Sequence, residues 1–572
     1  MRAMTLLRSS RHRLPAFRSI DEKLAVWLVG IVALLMLAFI ASPLLSMFSM
    51  TTQARNGSYV GLANWTTMLM EPRLRIAAGN SIALGMATLV IVLPLALAFA
   101  FALTRTRLLG RRVFRLIALT PMLAPSLMPA ISLVYLFGNQ GLLKNCLAGA
   151  SIYGPIGIIL GEVFYTFPHA LLILTTALSV SDSRLYEAAE TLGASKFRRF
   201  LTVTLPNARY GLVSAAMLVF TLVVTDFGIP KVIGGQMNVL SLEAYKQVIG
   251  QQNFNKGAVI GVLLLLPAVL SFMLERWLSR HRTGQMSGRS VVYQPRRNHL
   301  RDVLLWLLCA GTSVCFLALL GVGCVAAFIK MWPYDMSLTW SHFDFEQLDG
   351  GGWLAFLNSM RLATLVTIFG TGFIFISAYL IEKLPVPAGI IATIRSLALL
   401  PMAVPGLVLG LGYVLCFNAP SNPLHFLYGT MSLMVVATIA HFYTTAHLTL
   451  TTSLRQSDSE IEAVARSLQR PWWHTFLHVT LPINLPAVFN VARYLFISSM
   501  TTVSCIIFLY TPDTVLAAVA ILNMDDAGDT AAAAAMATLI VISSLLVSAL
   551  MHGAGWWLSH RGQAWRRLSG LH

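Results

Sequence analysis

Residues 182–206 read DSRLYEAAETLGASKFRRFLTVTLP, and residues 458–482 read DSEIEAVARSLQRPWWHTFLHVTLP. Ten of these 25 positions are identical at an offset of 276, close to half of the 572-residue chain. Other signatures recur at nearly the same offset. Phe164-Tyr165-Thr166 returns as Phe442-Tyr443-Thr444, with His169 and His447 in step. Pro121-Met122 with Pro125 returns as Pro401-Met402 with Pro405, and Asn80-Ser81 as Asn358-Ser359. A sequence that repeats at half its own length is built from two copies of one unit. Each long copy reads as two short helices around a bend. In the first, Asp182 can cap a helix running from Leu185 to Leu192. Gly193 stands where a left-handed C-cap is wanted, and a second helical stretch runs from Lys196 to Val203.

Outward from this pair of loops the chain is apolar. It is 56% hydrophobic and 11% charged, with a mean hydropathy of +0.72. A soluble domain holds about 25% charged residues and has no way to hide this much apolar surface. Cytosolic enzymes, disordered tails and disulfide scaffolds are thereby excluded. An all-α polytopic membrane protein of about 12 transmembrane helices remains, in two six-helix halves. The apolar runs are 24–50, 80–104, 116–138, 153–178, 209–233, 257–277, 302–330, 358–382, 390–416, 429–451, 483–510 and 531–557. They divide the chain into a basic head (1–23), a first half (24–277), a polar linker (278–301), a second half (302–557) and a tail (558–572). An even number of spans per half makes the repeats parallel.

The net charge of +18 follows the membrane rather than nucleic acid. With both termini in the cytosol, the head, 104–115, 181–209, 276–302, 382–395, 452–493 and the tail hold 32 of the 41 basic residues against ten acids. That is +22 inside and −4 elsewhere, the bias expected of a membrane protein with cytosolic termini. The six cysteines show no metal spacing, and no phosphate-binding G-x-x-x-x-G-K-[ST] occurs.

Glu187-Ala188-Ala189, then Gly193, then Leu205-Pro206, resembles the EAA loop of ABC-importer permeases of the MetI-like fold. The resemblance covers nearly the whole chain. It implies that the loops dock on a separate cytosolic ABC ATPase dimer, which binds the ATP, so this chain needs no cofactor and is not itself an enzyme. It also implies a periplasmic substrate-binding protein, since every outer loop is short. The implied ATPase-coupling residues are Glu187, Ala188, Ala189 and Gly193, with Glu462, Ala465 and Leu468 in the second copy. There Ala463 replaces Glu187 in register, Gln469 replaces Gly193, and Trp472-Trp473 replace Lys196-Phe197. The loops would act as levers in alternating access, moved only by differential contact with the two ATPase states.

Fused double permeases of this size import phosphonates, ferric iron and thiamine. Residues 225–261 and 500–537 resemble 2-aminoethylphosphonate permeases in particular. Asp226, Lys231 and Glu162 are candidates for the translocation path, because charges inside spans are costly and usually functional. A zwitterion bearing an amine and a phosphonate could meet both signs. Asp226 equally suits a structural role holding neighbouring helices. His169 and His447 read as packing residues, and a metal would need more ligands. A secondary transporter of the major facilitator type shares the two-half architecture but has no duplicated leucine-proline loop.

Overall fold

The computed structural model describes residues 20–179, 183–280, 295, 298–347, 350–384, 386–457 and 460–562. Asp182, its copy Asp458 and most of the linker and tail lie outside these. Among the described residues, ten helices are long and apolar enough to cross a membrane. They are span 1 (Lys23–Met50), span 2 (Pro72–Arg105), span 4 (Pro155–Ser179), span 5 (Lys196–Thr225), span 6 (Phe254–Leu274), span 7 (His299–Ala326), span 8 (Gly352–Lys383), span 10 (Met431–Gln456), span 11 (Trp472–Thr501) and span 12 (Thr530–Leu558). Spans 3 and 9 are bent pairs: Arg111–Leu123 with Leu127–Phe137, at 102°, and Ala388–Ala403 with Gly406–Phe417, at 115°.

The proline pairs explain the bends. Pro121 and Pro401 sit in tight 3-10 turns, Thr120–Leu123 and Leu400–Ala403. Pro125 and Pro405 follow, where a missing N–H and a fixed φ forbid a continuous helix. Each bent pair still crosses the bilayer. Span 2 ends at Arg105 beside the end of span 4, since Arg105 Nη2 donates to the Leu178 carbonyl at 2.6 Å. Span 4 must therefore begin on the opposite face, and residues 106–154 must carry the chain across. Lys383 and Ser457, 3.3 Å apart, impose the same on span 9. Among the described residues the count is twelve, six per half.

The halves are interlocked. Span 1 packs on spans 8 and 9, and span 7 on spans 2 and 3. Tyr413 donates to the Phe39 carbonyl at 2.6 Å, and Phe39 stacks on Phe417. On the other side, Trp306 meets Phe114 edge-on, and Phe316 meets Phe164 and Phe167. The contacts obey the repeat. A Cβ on Gly412 would lie 2.8 Å from the Pro43 carbonyl oxygen, and one on Gly323 would lie 2.5 Å from Ser132 Oγ. Gly412 corresponds to Ser132, and Gly323 to Pro43. One small residue at each crossing lets the borrowed span approach closely.

Asn80-Ser81 and Asn358-Ser359 perform the same task twice, at the face away from the loops. Asn80 donates to the Asn238 carbonyl, and Ser81 Oγ accepts from Leu240 N. Asn358 donates to the Asp513 and Val515 carbonyls, and Ser359 Oγ accepts from Ala517 N. These bonds hold the irregular segments after spans 5 and 11. The stretch after span 7 forms a small antiparallel hairpin, Ile329–Met331 with Asp335–Leu338, which the apolar pattern does not announce.

Candidate functional site

The first loop is a helix, Ser183–Thr191, then a bend, then Lys196–Arg199 running through a π-turn at Phe200–Thr204 into span 5. The second is Glu460–Ser467, a bend, and Trp472–Thr475 running through a π-turn at Phe476–Thr480 into span 11. Gly193 has φ +71°. Ala194 N donates to the Ala189 carbonyl at 3.0 Å, the closing bond of a Schellman turn. Gln469 takes the same left-handed conformation, at φ +54°, and Arg470 N donates to the Ala465 carbonyl at 3.0 Å. The second loop keeps the bend after losing its glycine.

Each loop turns an apolar tip outward. Leu192 is 86% exposed and Leu468 68%. Phe197 and its counterpart Trp473 are exposed beside them. Glu187 and Ala188 are exposed, Ala189 is half-buried, and Ala463, the counterpart of Glu187, is exposed as well.

The inward faces are tied down. Tyr186 is buried, with its hydroxyl donating to Thr204 Oγ1 and the Arg105 guanidinium 4.9 Å from its ring centre. The residue at this position in the second loop is Glu462, and the residue corresponding to Arg105 is Lys383. Lys383 Nζ lies 3.3 Å from Glu462 Oε1, with both side chains almost fully buried. Each cation also caps the carbonyl end of the preceding span, Arg105 at Leu178 and Lys383 at Ser457. Glu462 thus faces inward. It lies one residue before the register of Glu187, which is about 100° around a helix, and the two glutamates occupy different environments. No motif in the sequence marks Arg105, Lys383 or Tyr186 as site residues. The offset of 278 that relates Arg105 to Lys383 is also that of the Phe-Tyr-Thr signature. The difference in chemistry between Tyr186 and Glu462 concealed the match.

Between the halves lies a cavity of about 160 Å³. Spans 3, 4, 10 and 11 wall it, together with the breaks after spans 5 and 11. Asp226 and its counterpart Thr502 both line it, as do Tyr165, His169, His441, Tyr494, Ser498 and Ser504. Among the described residues, no lysine or arginine does. Span 5 ends at Thr225, and Asp226 Oδ2 accepts from Ile229 N at 2.9 Å, starting the short helix Gly228–Ile233. Glu162 is fully buried next to Asp226, and neither carboxylate oxygen meets a donor in good geometry. His169 faces the cavity with His441, not with its repeat partner His447, which is buried against Tyr443.

Lys231 is not brought to the cavity. It pairs with Asp526 of the other half at 3.0 Å. Tyr245 stacks on Phe508, and Tyr135 hydrogen-bonds Thr530 at 3.2 Å. These cross-half contacts close the face away from the loops. Among the described residues, no group of three or more His, Cys, Asp or Glu could hold a metal ion.

Duplicated halves, paired loops with apolar tips on one face, and a polar cavity between the halves define a two-fold polytopic membrane protein of the permease class. The model of the family described as "Binding-protein-dependent transport system inner membrane component" matches residues 93–284 and 386–554, one stretch in each half, and the chain belongs to this family. It is similar to the ferric transport system permease protein FbpB of Actinobacillus pleuropneumoniae, at 25% identity over 77% of this chain, and spans 66% of that relative's length. It is 23% identical to the Fe(3+)-transport system permease protein FbpB 2 of Haemophilus influenzae, over 85% of this chain and 91% of that one. The spermidine/putrescine permease PotB of Haemophilus influenzae is 25% identical over 45% of this chain and 95% of its own. A solved bacterial alginate ABC transporter chain aligns over 47% of this chain and 97% of that one, with a TM-score of 0.39 and 16% identity.

Proposed function

We propose that this chain is the transmembrane permease subunit of a binding-protein-dependent importer in the inner membrane. In this reading both termini are cytosolic, and a separate ABC ATPase dimer binds ATP and docks on the loops 182–206 and 458–482. The carrying observation is the pair of exposed tips, Leu192 with Phe197 and Leu468 with Trp473, repeated on one face of the fold. Uncovered leucine and aromatic side chains on a polar loop are what a partner's groove would bury. Glu187, Ala188, Ala189 and Gly193 belong to the first docking surface, and Ala465 and Leu468 to the second. Glu462 contributes from behind by fixing its helix to Lys383. Leu192→Asp combined with Leu468→Asp should abolish co-purification of the ATPase and stop import while the protein still inserts. Retention of the ATPase by this variant would refute the docking assignment.

The cargo proposed is a small zwitterion of the 2-aminoethylphosphonate type. The segments 225–261 and 500–537 support it, and so does the cavity. An ammonium group can meet Asp226, with Glu162 behind it, while hydroxyl and imidazole groups of Ser498, Ser504, Tyr494 and His441 can hold the anionic end. Lys231, held by Asp526 in the state seen here, would belong to the outer entrance. Ferric iron is the second reading. It is favoured by the two ferric permease relatives and by the hard oxygen donors Asp226, Tyr165 and Tyr494. Uptake of labelled 2-aminoethylphosphonate and of labelled ferric iron by cells carrying the full system separates the two. Asp226→Asn should reduce uptake of either cargo more than tenfold without loss of assembly, and unchanged uptake would remove Asp226 from the path.

A further inference from the structure

Away from the axis, spans 11 and 12 enclose a groove of about 230 Å³ lined by Pro486, Phe489, Asn490, Arg493, His552 and Trp556, among others. Arg493 is half-buried and makes no ion pair or hydrogen bond with any described residue. A guanidinium at membrane depth without a counter-charge is costly. The tail 558–572 carries Arg561, Arg566 and Arg567 and neither Asp nor Glu.

The depth of the groove is set by span 12. Met551 lies 21 residues after Thr530, about 32 Å along a helix, so a hydrocarbon layer of about 30 Å starting at Thr530 ends at the groove. Trp556 and Trp557, both exposed, mark the same level, as interfacial tryptophans do. Just above, Leu545, Leu546 and Leu550 are exposed to the acyl region. The first half provides the contrast. Phe489, Asn490 and Arg493 correspond to Val213, Ser214 and Met217, which line a smaller groove of about 50 Å³ between spans 5 and 6 with no charged residue.

We propose that the groove between spans 11 and 12 binds the headgroup of an anionic phospholipid on the loop-bearing face of the bilayer. The phosphodiester accepts from the Arg493 guanidinium, with His552 and Asn490 beside it, and the acyl chains run along the exposed leucines of span 12. Among the described residues such a site exists in one half only, so the lipid distinguishes the two halves of an otherwise symmetric bundle.

The test uses the full chain in nanodiscs of phosphatidylcholine containing a small fraction of doxyl-labelled phosphatidylglycerol, read by paramagnetic broadening of a fluorine label at position 556. An arginine at an anionic surface is worth about a fivefold preference, so labelled phosphatidylglycerol should broaden the signal about fivefold more than labelled phosphatidylcholine. Arg493→Leu should remove that preference and Arg493→Lys should keep part of it, which separates loss of the site from loss of folding. Met217→Leu, in the uncharged groove, should change nothing. Equal broadening by the two lipids in wild type would overturn the proposal. Displacement of the labelled lipid by millimolar inorganic phosphate would also overturn it, by assigning the site to a soluble anion.

Discussion

Replacing Gly193 by alanine should loosen the first loop, and replacing Gln469 by glycine should tighten the second, by similar amounts. An L-residue in the left-handed region costs about 1–2 kcal/mol. Alanine recovers about 0.4–1 kcal/mol by restricting the unfolded chain. A Cβ at Gly193 would meet nothing within 4 Å, so no clash is added. The net penalty is about 1 kcal/mol, roughly a fivefold increase in the opening of the turn at 1.4 kcal/mol per tenfold. Gln469, at φ +54°, already bears this cost, and Gln469→Gly should reduce opening about fivefold. The amides of Ala194 and Arg470, which close the two turns on Ala189 and Ala465, report it directly by hydrogen exchange in vesicles. Gly193→Asn, with a side chain that tolerates the left-handed region, should fall between wild type and Gly193→Ala. If Gly193→Ala leaves Ala194 exchange unchanged and Gln469→Gly leaves Arg470 unchanged, the bends are not held by the closing bond and the left-handed residue, and the reasoning fails.

Lys383→Met should lower stability by about 3–5 kcal/mol, because it strands Glu462 in a buried position. The double change Lys383→Met with Glu462→Leu should recover most of that loss in thermal unfolding. Gly412→Val should disturb the seating of span 1 on span 9 by about 1–3 kcal/mol, since the backbone oxygen of Pro43 has no rotamer by which to move aside. The expected readout is a lower yield of a disulfide engineered between Phe39 and Phe417 positions, and an unchanged yield would contradict the interlocking. Burial raises the Asp525 carboxyl to about 6, with the neighbouring Asp526 adding and Lys231 opposing. The folded state therefore holds a proton that the unfolded chain releases near pH 4, and this contribution to stability is lost as pH rises through about 6. The segment 511–530 should be cut faster by protease at pH 8 than at pH 5, relative to Asp525→Asn, and an equal ratio at both values would refute the assignment.

Most of the fold is legible in the sequence because the bilayer leaves few options for a backbone. Twelve apolar runs, a repeat at half the chain and paired prolines determine the span count, the duplication and the broken third and ninth spans. The exchange of first spans between halves is not legible, because its signal consists of single small residues at crossings such as Gly412 and Gly323, and small residues are frequent in any membrane helix. The cavity is only partly legible. Asp226 and Glu162 stand out as charges in apolar runs, and the structure sets them side by side. Lys231 stands out equally, yet it is held by Asp526, almost 300 residues away, and no local pattern points there. His441 and Tyr494 reach the cavity through the pairing of spans 10 and 11 with spans 4 and 5, which periodicity does not encode.

The loops show why duplication hides function as well as revealing it. Fold symmetry requires that both loops be bent, pinned and exposed at equivalent places, and Gly193 with Gln469, Tyr186 with Glu462, and Leu192 with Leu468 meet those requirements. It does not require the same chemistry. A cation stacked on a ring and a buried ion pair both fasten a helix to the span behind it, but they respond differently to perturbation. The ring contact rests on one charge, whereas loss of either member of the Lys383–Glu462 pair strands the other charge in a buried position. A register argument that seeks the same residue type in both copies would pair Glu187 with Glu462 and lose this distinction. The geometric pairing, in which position 462 corresponds to 186, assigns the exposed surface and the anchor separately. It follows that removing Glu187 should weaken contact with a partner and leave the fold intact, whereas removing Glu462 should first loosen the permease itself.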